Sequence, residues 1–201
     1  MRSIAKPISK IKALISVYLR GLIQLVIDMP KVSLNSGRID EFVGDAIICP
    51  CDFELTYKRA NDFVRKIFDS GGKKLMDEVS IIGSCNIGNA VITQGYSLKV
   101  KNVIFLPHID HDDPENVMNL RTLHQGLKSA FALASLYELK TLALGFFQIG
   151  SPSSNTMESF FDGLLMGKHK PAYNSDEVDK VILSVIKDFE RSSITELTIY
   201  K

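Results

Sequence analysis

An α/β fold with a mixed central sheet between helical layers is predicted by three features of the sequence. Short apolar runs that read as buried strands recur along the chain, at residues 45–49, 89–93, 102–106 and 142–149. Segments with apolar residues at helical spacing separate most of them, as in Phe63, Val64, Ile67 and Phe68. An early pair of strands, residues 22–28 and 31–35, is joined by Met29-Pro30, a connection short enough to require antiparallel pairing.

The 201 residues, 45% of them hydrophobic, suit one globular domain with a full core and a small extension. Lys and Arg number 24 against 23 Asp and Glu, so net charge gives no drive toward nucleic acid, and none is expected as a partner. Three cysteines, Cys49, Cys51 and Cys85, are too few for a disulfide framework and favour a reducing, cytoplasmic setting. Lys12 and Arg20 break the apolar runs near the N-terminus, and no small-residue cleavage site follows. Neither a membrane span nor secretion is expected.

The chain opens on an amphipathic helix. Ile8, Ile11, Leu14, Ile15, Tyr18 and Leu19 share one side, Ser9, Lys12, Ser16 and Arg20 lie opposite, and Gly21 offers a stop. Residues 1–21 are expected to pack on a domain formed by residues 22–201, although basic flanks also suit a partner or a membrane surface. Residues 45–49 form a buried strand, and Pro50-Cys51-Asp52 is expected to lead the chain out of the sheet. The helix carrying Phe63 to Phe68 stops at Gly71-Gly72, and strands 89–93 and 102–106 are joined through Gly95-Tyr96. In the long helix that follows, Val117, Leu120, Leu127, Phe131 and Ala134 line one face, and His124 completes that stripe as a packed rather than a catalytic residue. After the strand at 142–149 come a helix with Met157, Phe160, Phe161, Leu164 and Leu165 and another with Val178, Val181, Ile182, Val185, Ile186 and Phe189. Residues 194–200 alternate enough to be a closing strand.

Three constellations bear chemistry. Gly150-Ser151-Pro152-Ser153-Ser154 precedes Asn155, which with Glu158 resembles an N-cap and capping box. A small-residue loop entering a helix points backbone N–H groups at a common position, which suits a phosphate; the plainer reading is a turned corner. His108, Asp110, His111, Asp112 and Asp113 have spacings a divalent metal uses, with His108 and His111 as its natural ligands. Charged loops without a metal are far commoner, and no metal centre is expected. Cys49-Pro50-Cys51 lacks a fourth ligand and reads as buried structure.

The segment Ser84-Cys85-Asn86-Ile87-Gly88-Asn89-Ala90-Val91-Ile92-Thr93-Gln94-Gly95-Tyr96-Ser97-Leu98, with Lys101 and the strand after it, resembles the macro domain family, best known for binding ADP-ribose. Leu144-Gly145-Phe146-Phe147-Gln148-Ile149-Gly150-Ser151 is similar to the strand and loop that hold the distal ribose and diphosphate in that family, and Tyr200 falls where some members set an aromatic against adenine. The resemblance spans residues 22–200 and implies a three-layer α/β/α macro-domain-like fold with a central mixed sheet. It also implies a ligand crevice drawing on Arg38, Ile39, Cys49, Asp52, Phe147, Gly150, Ser151, Ser153, Ser154, Asn155 and Tyr200.

Several family positions are substituted. Arg38 stands for the aspartate that accepts a hydrogen bond from adenine, with Asp40 as the nearest substitute. Cys49-Pro50-Cys51-Asp52 replaces a loop of asparagine, two alanines and asparagine, and residues 53–60 replace a glycine run that lets the backbone approach the distal ribose. Asp62 is the nearest candidate for the catalytic aspartate of some members. The resemblance therefore implies a divergent macro domain that binds ADP-ribose or a related nucleotide or phosphate ligand, free or on an ADP-ribosylated protein, with weak or no hydrolysis and no cofactor. An ADP-ribosyl hydrolase or phosphoesterase using Asp52 or Asp62 is one alternative, and a ligand-free interaction module is another.

Overall fold

The computed structural model describes residues 30–109, 119–145 and 175–200. The elements, in chain order, are β1 (Lys31–Asn35), β2 (Gly44–Asp52), α1 (Asp62–Gly71), α2 (Lys73–Ile82), β3 (Val91–Gln94), β4 (Val100–Ile109), α3 (Leu120–Leu136), β5 (Thr141–Leu144), α4 (Ser175–Asp188) and β6 (Glu196–Tyr200). The strands form one sheet in the order β1-β6-β5-β2-β4-β3. Five of them run parallel and β3 is antiparallel to β4. The sheet is therefore mixed, as expected. Among the described residues its antiparallel pair is β3 with β4, while β1 pairs in parallel with β6. The expected N-terminal helix, the strand at 22–28 and the helix carrying Met157 to Leu165 lie outside the described residues.

Alternation along the central strands builds the layers. Ala46 and Ile48 of β2, Ile104 and Leu106 of β4, Leu142 and Leu144 of β5, and Leu197 and Ile199 of β6 meet Leu123, Leu127, Phe131 and Ala134 of α3 and Ile182, Val185 and Ile186 of α4. Ile47, Cys49 and Cys51 of β2, Val103 and Phe105 of β4, and Ala143 of β5 face Val64, Ile67 and Phe68 of α1 and Leu75 and Val79 of α2. Each strand residue thus serves one helical layer, which is the pattern of a sheet buried on both faces.

Two expectations are corrected and one helix is added. The chain does not leave the sheet at Pro50, since β2 continues to Asp52. Even-numbered residues of β2 bond toward β5, as the Gly145 N–H to Ile48 carbonyl bond at 3.0 Å shows. Pro50 lacks the N–H that would make the next bond of that ladder, and pairing with β5 stops there, while pairing with β4 carries β2 on past Pro50 opposite Leu106. Second, α1 stops at Gly71-Gly72 as expected, but Gly72 at φ +76° leads directly into a further helix, α2, which begins at the next residue. Third, Leu123, Gly126, Leu127, Ala130, Phe131 and Ala134 form the buried stripe of α3, leaving His124 half-buried at its margin. Packing against the sheet chooses the stripe, and it lies about one residue from the one that periodicity suggests.

Candidate functional site

The five parallel strands bring their C-terminal ends to one edge of the sheet, where open α/β folds place ligand crevices. Asn35, Tyr200, Leu144, Asp52 and Ile109 end β1, β6, β5, β2 and β4 there. At Gly145, just beyond β5, a Cβ would lie 2.3 Å from the Phe63 ring and 2.9 Å from Pro50 Cδ, so only glycine lets α1 and β2 close on this end.

Asp52 is buried, and a register shift between Cys51 and Asp52 turns the strand as it ends. Its Oδ1 accepts the Glu54 N–H at 2.9 Å, and its carbonyl accepts the Leu55 N–H at 3.2 Å. Leu55 adopts φ +54°, a conformation glycine takes without cost, and it is held there by burying its side chain in the α1/α2 layer. On the neighbouring strand His108 is buried, with Nδ1 2.8 Å from the Cys51 carbonyl. A carbonyl only accepts, so Nδ1 carries the proton and the ring orientation is fixed.

Arg38 grips Asp40 in a bidentate pair, Nη2 to Oδ2 at 2.6 Å and Nε to Oδ1 at 3.2 Å, and reaches Glu41 at 3.3 Å. Asp40 also accepts the Ser70 hydroxyl of α1 at 2.9 Å. Burial would raise the Asp40 carboxyl, but Arg38 and Ser70 more than offset it and hold it below its ordinary value. The carboxylate thus clamps the 38–41 turn to α1. Beside it, Ile39 is core.

Tyr200 is buried, its ring edge-on to Phe42 at 6.3 Å and its hydroxyl accepting from Asn35 Nδ2 at 3.3 Å. Cys49 and Cys51 are fully enclosed beneath the site, and burial drives both thiols well up. Asp62 opens α1 behind the Asn61 cap, with its side chain 90% exposed and 3.8 Å from Arg65. Among the described residues no three His, Cys, Asp or Glu side chains are grouped to hold a metal ion. Phe147, Gly150, Ser151, Ser153, Ser154, Asn155 and His111 lie outside the described residues.

The model of the macro domain family matches residues 58–153. Among solved structures, the Oceanobacillus iheyensis macrodomain with ADP superposes with a TM-score of 0.65 and 13% identity over 87% of this chain and 86% of that one. The chain carries a macro domain fold. The Trypanosoma brucei macrodomain in complex with ADP gives 0.63 and 14% over 85% and 64% of the two chains. The macro domain of ganglioside induced differentiation associated protein 2 gives 0.62 and 16% over 85% and 76%. No curated protein matches the chain in sequence. The sequence singles out Asp52 and Tyr200, which end β2 and β6, but not Phe42 and Asn35, which contact Tyr200, Phe63, whose ring closes on Gly145, or Ser70, which bonds Asp40. The ring of Phe63 was legible only as part of a helical stripe, and nothing local announces the bond from Ser70 to Asp40.

Proposed function

We propose that this macro domain binds ADP-ribose, or a nucleotide sharing its diphosphate, at the C-terminal edge of β2, β5 and β6, with weak or no turnover. The observation that carries this reading is the macro domain fold itself, which brings Asp52, Gly145 and Tyr200 to one edge of the sheet. The Oceanobacillus iheyensis and Trypanosoma brucei macrodomains are solved with ADP, and a further Oceanobacillus iheyensis variant with ADPR. The loop of Gly150, Ser151, Ser153, Ser154 and Asn155 would supply phosphate donors by its sequence. Asp52 can accept a ribose hydroxyl but cannot donate as an amide does. With Arg38 in place of an acceptor, adenine binding is expected to be weaker by about tenfold or more, the cost of about 1–3 kcal/mol for an unpaired donor. Three buried free thiols suit the cytoplasmic setting that goes with this reading.

Hydrolysis is the second reading, and burial at the strand end favours Asp52 over the exposed Asp62 as its base. Calorimetric titration with ADP-ribose, and with AMP and inorganic phosphate as smaller ligands, tests binding. The expected result is ADP-ribose binding that Gly150→Trp abolishes. Silence with all three ligands overturns the proposal. Robust release of ADP-ribose from a modified protein, lost in Asp52→Ala, would replace it with the hydrolase reading.

A further inference from the structure

β1 is an edge strand whose five residues are all exposed, with Val32 at 40% and Leu34 at 67%. Its parallel register sets Val32 beside Leu197 and Leu34 beside Ile199. Residues paired in this way project to the same face, and Leu197 and Ile199 belong to the core beneath α3 and α4. Val32 and Leu34 therefore extend that apolar sheet face, but no described helix reaches them. The opposite face of β1 is polar and occupied, with Ser33 bonded to Thr198 at 3.2 Å and Asn35 to Tyr200 at 3.3 Å. The backbone repeats the asymmetry. Lys31 donates to the Thr195 carbonyl, so odd residues bond toward β6 and the N–H and C=O groups of Val32 and Leu34 point to the open edge.

We infer that this flank is the docking surface of the protein's own N-terminal segment, with residues 22–28 lying along the open edge and the apolar stripe of residues 8–19 covering Val32 and Leu34. The chain enters β1 at Lys31, directly from that segment, so the occupant is tethered at the site. The twelve steps from Leu19 to Lys31 span at most about 40 Å extended, ample to run along a five-residue strand and return across its face. Ile8, Ile11, Leu14, Ile15, Tyr18 and Leu19 supply the complementary apolar stripe, and the opposite side carries the charges that belong in water. A tethered segment meets the face at high effective concentration, an advantage that neither a second copy nor a membrane has.

The protein has no tryptophan, so Leu34→Trp gives a single reporter in the full-length chain. Docking predicts blue-shifted, quencher-resistant emission that does not vary with protein concentration. Adding Ile11→Glu and Ile15→Glu should shift it to the emission of a water-exposed indole and lower the unfolding midpoint. If Leu34→Trp does not fold, Val32→Trp carries the same readout. Emission that is water-exposed from the outset, or unmoved by the paired glutamates, overturns the inference. A blue shift that grows with protein concentration assigns the face to a second copy instead, and one that appears only with phosphatidylserine vesicles assigns it to a membrane surface.

Discussion

Asp45 shows how much one carboxylate can organise. It accepts the Lys140 and Thr141 N–H groups at 2.8 and 3.1 Å and pairs with Lys101 Nζ at 2.7 Å, tying β2 to the start of β5 and to β4. Burial raises its pKa, but Lys101 and the two N–H groups outweigh that and bring it to about 2, from an ordinary 3.8. A lowered folded pKa means stability present above pH 4 and lost as pH falls toward 2. The shift corresponds to about 2 kcal/mol. Asp45→Asn should lower stability at pH 7 by about 1–3 kcal/mol and flatten the acid limb between pH 4 and 2 in denaturant titrations. Burial also raises all three thiols, so Cys49, Cys51 and Cys85 should react slowly with a disulfide reagent at pH 8 and rapidly after unfolding. A fast native thiol would place one of them outside the core.

At the scale of elements, the β2–α1 connection sets two costs against each other. Leu55 holds a left-handed conformation that costs about 1–2 kcal/mol for a residue with a Cβ. Burying its side chain returns about 1.5–3 kcal/mol, and its removal leaves a cavity as well. Burial wins. Leu55→Gly should therefore destabilise the protein by about 1–3 kcal/mol despite relieving the backbone, a difference readable in the denaturant midpoint. An increase in stability would show that strain dominates this loop. The Cys85 N–H bond to the Phe53 carbonyl at 3.0 Å fixes the loop from its other side. The loop after β2 is thus anchored by the buried Leu55 side chain and by this backbone bond.

For the whole molecule, the two apolar clusters share one sheet and cannot separate without breaking its ladders. Phe68 stacks on Phe105 at 5.6 Å in one layer, and Phe131 meets Phe189 at 5.6 Å in the other. Single tryptophans at Phe68 and Phe131 should report the same denaturant midpoint, each corrected for its own stability change. Two separate transitions would mean that the helical layers unfold independently. Among the described residues no helix is long and apolar enough to cross a membrane.

Sequence alone determined the α/β class, most strands and the helices around Phe63 and Val178, because alternation and helical periodicity are local signals that burial on a sheet enforces. The motif from Ser84 to Leu98 likewise makes the macro domain fold legible in the sequence. Tertiary structure decided what local signals cannot carry. Pro50 stays in β2 because pairing with β4 continues where pairing with β5 stops, and α2 is set apart only by the turn at Gly72. Leu55 takes a glycine conformation because the core accepts its side chain. Asp40, which looked like a substitute acceptor, is claimed by Arg38 and by Ser70, thirty positions along the chain. Partners so distant in sequence leave no periodic trace, and their pairing exists only once the sheet and its helices have brought them together.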